Sequence, residues 1–217
     1  MLENNLFAYC FNNPVNMTDE DGQWPSWATK VAIGVGVIAL CAVITVATGG
    51  AGAGVAGFIA AGALKGAIIG AASGAVIGAG TGAVGHRIST GSWKGAGTAA
   101  LNGGANGFMT GAISGAITGA ASNSLKVAQA AKSWGSAGGR SSFQNMSSHY
   151  GKHVVKEGHS YLGKNVVGYT NNAKNFFTAN QSVMKLTSSG NYAIRAAFAG
   201  QKVGGFFSAT GKVLSFF

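Results

Sequence analysis

Three rhythms of apolar and polar positions follow one another along the chain. Leu6 to Phe11 is a short apolar run that reads as a strand, closed by turns at Asn13-Pro14 and Asp21-Gly22. Val31 to Gly49 is a run of nineteen residues without a charge; as a helix it reaches about 28 Å at 1.5 Å per residue, just enough to span a bilayer. Beyond it Gly62, Gly66, Gly70, Gly74, Gly78 and Gly82 recur at strict four-residue spacing. After an interruption from His86 to Leu101 the spacing resumes at Gly103, Gly107, Gly111, Gly115 and Gly119. The two blocks are an internal repeat offset by 41 residues, GAIIGAASGAVIGAG from Gly66 against GFMTGAISGAITGAA from Gly107. This spacing lays the glycines along one helical stripe, so the pattern predicts an antiparallel zipper hairpin with almost no side-chain bulk at its seam. Each helical glycine costs about 1 kcal/mol relative to alanine, so such helices need close packing or lipid to persist.

A third rhythm begins after Gly135-Ser136-Ala137-Gly138-Gly139, where alanine and glycine give way to Asn, Lys, His, Tyr and Phe. Phe143, Met146, Tyr150 and Val154 recur at helical spacing and predict an amphipathic helix ending near Gly158. His149, Lys152, His153 and Lys156 share an adjoining stripe of that helix. A second helix is expected around Tyr169 to Phe177, with Tyr169, Ala173, Phe176 and Phe177 inward. The period then changes to two, with Tyr192, Ile194 and Phe198 alternating with Ala193 and Arg195. Gln201–Phe207 and Lys212–Phe216 flank a turn at Ala209-Thr210-Gly211. Two helices followed by an antiparallel sheet make a small α+β domain, preceded by a mostly α-helical glycine-zipper region. The expected organisation is residues 1–22 as a leading element, 24–134 as the hydrophobic zipper region, 135–139 as a linker and 140–217 as a basic domain.

Charge sharpens this division. Only 9% of the 217 residues are charged, against roughly 25% in a typical soluble domain, which points the apolar region towards tight helix packing or membrane contact. Glu3, Asp19, Glu20 and Asp21 stand near the start, Glu157 is the only later acid, and all fifteen Lys and Arg residues follow Asp21. From Arg140 onward nine Lys and Arg residues stand against Glu157, a net of +8. Such one-sided charge favours a polyanion: nucleic acid, anionic lipid or an acidic protein. Lys30, Lys65 and Arg87 are thin polar flanks, as in a segment that shifts between water and membrane. Cys10 and Cys41 form neither a disulfide framework nor a metal-ligand spacing. No charged n-region precedes a short apolar stretch at Met1, so no secretory signal peptide is visible and export is expected to take another route.

The leading segment NLFAYCFNNPVNMTDEDG, from Asn5 to Gly22, resembles the last repeat of the RHS/YD-repeat core of polymorphic secreted toxins. In that family the repeat shell encloses a variable toxin domain that follows an Asp-Pro-x-Gly boundary. Glu20 stands where the family has proline, so the family's self-cleavage is not implied here. Met1 falls inside the repeat, as in a displaced tail or a piece of a longer gene. The resemblance implies a secreted toxin that acts in the cytoplasm of a target cell. Its partners would be an RHS shell, a target membrane during entry and a cognate immunity protein, which the basic tail suggests is acidic.

The tail resembles the barnase/EndoU/colicin-type ribonuclease toxins. The resemblance rests on HYGKH from His149 to His153, on Tyr169-x-x-x-Ala173-x-x-Phe176, and on the terminal FFSATGKVLSFF, with Ser215 where that group has threonine. It implies an endoribonuclease acting on tRNA or other RNA. The residue types allow the same chemistry. With one acid and no cysteine in the tail, a site for a hard metal ion is difficult to build, and no cofactor is expected. Metal-independent RNA cleavage needs a base for the 2′-OH, an acid for the leaving 5′-oxygen, and cations. His149 or His153 is the expected base, with the other or His159 as acid. Arg195 and Lys152 are expected to clamp phosphate and Ser215 to donate a hydrogen bond to it, with Lys156, Lys212 and Tyr192 in substrate binding. Among Tyr150, Tyr161 and Tyr192, core packing is expected for two and base stacking for one. His86 reads as a loop residue. The competing reading is a toxin that permeabilises membranes through its glycine-zipper helices.

Overall fold

A computed structural model describes residues 26–50 and 54–217. The strand expected over Leu6 to Phe11, its turns and Cys10 lie outside the described residues. The element order is α1 (Ser26–Ala47), α2 (Val55–Thr90), α3 (Ala96–Lys132), α4 (Ser142–Tyr150), α5 (Val166–Ala179), then β1 (Lys185–Leu186), β2 (Tyr192–Phe198), β3 (Gln201–Phe207) and β4 (Val213–Phe216). Two compact units emerge: one from the described residues up to Cys41 with Ala63–Gly119, the other from the described part of Ala42–Gly62 with Ala120–Phe217.

In the first unit the glycine stripes of α2 and α3 face each other in antiparallel register. Gly66 meets Gly115, Gly70 meets Gly111, Gly74 meets Gly107, Gly78 meets Gly103, and Gly82 meets Ala99. A Cβ added at Gly66, Gly70, Gly74 or Gly78 would stand 2.0–2.1 Å from the carbonyl oxygen of the opposite glycine. The helices are therefore in backbone contact, and only hydrogen fits between them. On α1, a Cβ at Gly34 would lie 2.5 Å from the Phe108 ring, so a small residue on a third helix seats an aromatic of α3. With small residues on the seam, the large aliphatics point outward: Val76 is 75% exposed and Ile88 78%. That is the reverse of a bundle built for water. Both α1 and α2 are long and apolar enough to cross a membrane. His86 lies within α2, its Nε2 2.8 Å from the carbonyl oxygen of Lys94.

The second unit ends in the α+β domain. Ser141 caps α4 reciprocally with Gln144, and the Asn165 side chain accepts the Gly168 N–H at the start of α5. The four strands form an antiparallel meander in the order β1-β2-β3-β4. Ala199 and Gly200 join β2 to β3 in a two-residue turn with φ of 49° and 77°, the left-handed geometry that suits strand twist. Met146, Tyr150, Tyr169, Phe176, Ile194, Phe207 and Phe216 are buried together, and the Tyr169 hydroxyl donates to the Phe216 carbonyl.

Further features, in the C-terminal domain, differ from the sequence expectation, as does His86 in α2 rather than a loop. The core begins upstream of Arg140: Trp134 is fully buried, and its indole N–H donates to Thr170 Oγ1 at 3.0 Å. The expected linker is pinned where Gly135 N–H donates to the Val213 carbonyl at 2.8 Å, and buried Asn145 donates to the carbonyls of Gly135 and Leu214. The first helix of the basic domain loses its α period at Tyr150 and continues as a π turn over Gly151–Lys156. β1, two residues long, was below the reach of a period-two pattern.

Candidate active site

The π turn positions the site. Widening the helix to i→i+5 bonding shifts every later side chain around the axis, a distortion often kept where function needs it. Here it turns His153 inward, to 7% exposure, while Lys152 and Lys156 stay exposed. Gly158 then reverses the chain at φ 75°, a backbone that glycine adopts freely, and the His159 N–H donates to the His153 carbonyl at 3.1 Å. Two histidines six positions apart are thereby held side by side.

Glu157 joins them. Its Oε2 lies 2.7 Å from His153 Nδ1 and 3.6 Å from His159 Nδ1. With His153 Nδ1–H donating, the imidazole keeps the tautomer whose Nε2 carries the free lone pair. The hydrogen bond from His153 holds the Glu157 carboxyl below the ordinary carboxylate range, against an opposing desolvation. His153 is further fixed by rings on two sides, His149 at 5.6 Å and Phe217 at 5.8 Å. Phe217 reaches this place because Gly204, its backbone partner on β3, has no side chain: a Cβ there would meet the Phe217 ring at 2.7 Å.

These groups open on a cleft of about 680 Å³ lined by His153, Glu157, His159, Tyr161, Arg195, Lys202 and Phe217 together with β2–β3 backbone. Arg195 and Lys202 bring positive charge to the same cleft, and Tyr161 packs against His159 at 5.3 Å. The cleft thus gathers two imidazoles, a carboxylate, two cations and aromatic surfaces.

The expected site residues are distributed unevenly around it. His153, Arg195 and His159 line the cleft. His149 does not; it is stacked between Trp134 at 5.8 Å and His153, and its Nδ1 is buried without a hydrogen-bond partner among the described residues. Ser215, on β4, pairs with Phe206 of β3, and Tyr192 and Lys212 lie near the Phe207–Val213 pair, away from the cleft. Tyr192 packs on the hydrophobic core, Tyr150 is fully buried, and Tyr161 alone of the three tyrosines lines the cleft. Glu157, Lys202 and Phe217 were not singled out from the sequence. The spacing of four between His153 and Glu157 was the available signal, since such residues meet on a helix.

Desolvation lowers the His149 pKa from 6.5 to about 4, helped by the charges of His153, Arg140 and Lys152. Between those two values the unfolded chain binds more protons than the folded one, so stability present above pH 6.5 is lost as the pH falls towards 4. The denaturation midpoint is expected to drop between pH 7 and pH 4.5, and His149→Gln to remove most of that drop. An equal drop in the variant would show that His149 is not the group responsible.

Comparison with protein-family models, with curated protein sequences and with solved structures finds no match to this chain.

Proposed function

We propose that the C-terminal unit is a metal-independent endoribonuclease, the effector end of an RHS-type toxin, and that the glycine-zipper hairpin serves its passage through a membrane. The observation that carries the catalytic part is the His153–Glu157 pair at 2.7 Å, which shares one cleft with His159, Arg195 and Lys202. A carboxylate on Nδ1 orients the ring and stabilises the imidazolium that forms when Nε2 takes a proton. His153 Nε2 removes the proton of a ribose 2′-OH, and the 2′-oxygen forms a bond to the adjacent phosphorus. The bond from phosphorus to the 5′-oxygen breaks, and protonated His159 delivers its proton to that oxygen. The products are a 2′,3′-cyclic phosphate and a free 5′-hydroxyl. Arg195 and Lys202 neutralise the phosphorane-like charge, where fixed cations contribute most, and Phe217 and Tyr161 offer faces for unpaired bases. His149 acts behind the site by holding the His153 ring.

The full chain in detergent micelles is expected to cut total RNA or tRNA in the presence of EDTA. A chain inert towards RNA under these conditions contradicts the reading. Permeabilisation of the target membrane is the second reading, favoured by the outward aliphatics Val76, Ile77 and Ile88 over a seam of glycines. An RNA-inert chain that releases dye from anionic vesicles would select it. An RHS shell, an acidic immunity protein covering the basic cleft, and a secreted protein acting in the target cytoplasm belong to the same proposal.

A further inference from the structure

The two imidazoles assigned to proton transfer and the carboxylate between them also form a ligand set. The donor atoms of His153, Glu157 and His159 all lie within 4.8 Å of one another. In a tetrahedral zinc site, with N and O ligands at about 2.0–2.2 Å, donors stand about 3.3 Å apart; the two separations to Glu157 Oε2 here, 2.7 and 3.6 Å, bracket that value. Nothing in the hydrogen bonding uses all three groups. His159 Nδ1 is shielded from solvent, has no hydrogen-bond partner among the described residues, and stands 3.6 Å from the Glu157 carboxylate, too far for a hydrogen bond. A shielded nitrogen with only a distant carboxylate beside it carries a cost that a bound ion removes. The cluster is also built in advance: the reversal at Gly158 and the His159-to-His153 backbone bond fix the spacing, and the His149 and Phe217 rings fix the His153 plane.

We propose that His153, Glu157 and His159 bind a borderline divalent transition-metal ion such as Zn²⁺, and that the occupied site is catalytically silent. Two imidazoles and one carboxylate suit such an ion, and are too few oxygens for Mg²⁺ or Ca²⁺. All three residues line the cleft, so an ion held by them would be open to water or another ligand. Coordination takes the Glu157 oxygen away from His153 Nδ1 and engages the nitrogen lone pairs of both imidazoles, so base, acid and orienting carboxylate are withdrawn together. Metal binding stands independently of the ribonuclease reading; the silencing rests on it.

Co²⁺ titrated into the full chain in micelles is expected to give the intense visible absorption of a four-coordinate site, saturating at one ion per chain and displaced by Zn²⁺. Glu157→Gln and His159→Asn, both at solvent-accessible positions, are expected to weaken binding about tenfold or more with unchanged circular dichroism. Absence of the band, or a band unaltered in both variants, overturns the site. Zn²⁺ at the occupancy fixed by that titration is expected to stop RNA cleavage, and EDTA to restore it; cleavage that persists at full occupancy overturns the silencing. A chain that binds Co²⁺ but never cuts RNA refutes the ribonuclease reading and leaves the metal site standing.

Discussion

Replacing His153 with alanine is expected to lower RNA cleavage by about three orders of magnitude, within the range for loss of a positioned general base. The size follows from where the residue sits. His153 is the imidazole that both lines the cleft and holds a carboxylate at 2.7 Å. His159 lies on the same carboxylate at 3.6 Å, and its ring cannot reproduce that hydrogen bond without moving. Because His153 is buried between two rings, alanine also leaves a gap. His153→Asn, which fills more of the space, separates the effects: both variants are expected to lose cleavage, and the asparagine variant to keep a wild-type melting profile. Retained cleavage in a folded His153→Asn chain would remove the proposed base. Glu157→Gln tests the same pair from the other side, with a smaller loss of cleavage.

The largest structural effect is expected on the zipper seam. A methyl at Gly74 would stand 2.1 Å from the Gly107 carbonyl oxygen, and backbone cannot swing aside as a side-chain tip can. Gly74→Ala is expected to push α2 and α3 apart and to cost about 1–3 kcal/mol, as overpacking does, and Gly74→Leu to abolish the hairpin. Gly85, on the same helix, has nothing within 4 Å of an added Cβ. There alanine is expected to stabilise by about 1 kcal/mol through helix propensity alone. Thermal unfolding in micelles by circular dichroism decides between them. Equal shifts at the two positions would mean that the glycine contact does not hold the hairpin.

How far these features could be read from residues alone depended on whether each one repeats. The zipper was legible because its seam demands a glycine at every fourth position on both helices, as Gly70 against Gly111 shows. The inward face of α5 was legible for the same reason, with Tyr169, Ala173 and Phe176 buried. So was the alternation on β2, where Ile194 is buried and Arg195 exposed. Phe143, placed on the inner stripe of the first helix, is 45% exposed, while Met146, Tyr150 and Val154 are buried.

Single events left no period to follow. Trp134 closes a stretch of small residues in sequence but packs on residues far along the chain, with Thr170 and Val213 as partners. The π turn inserts a slip that conceals which of His149, Lys152, His153 and Lys156 face inward. The placing of Ser215 depends on an irregularity in the β3–β4 register at Phe206/Phe207, which no pattern in β4 announces. The cleft therefore drew His153, Arg195 and His159 from the expected set and added Glu157, Lys202 and Phe217 through contacts that only the fold creates.

Cleavage in this cleft is proposed to use the RNA's own 2′-hydroxyl and no metal ion. The most direct measurement incubates the full chain, in EDTA, with an RNA strand it cuts and with the same strand carrying a 2′-deoxy nucleotide on the 5′ side of the scissile phosphate. The prediction is a 2′,3′-cyclic phosphate from the first strand and no cleavage at that bond in the second. Cleavage of the deoxy strand, or activity that disappears with EDTA and returns with added metal, would contradict it.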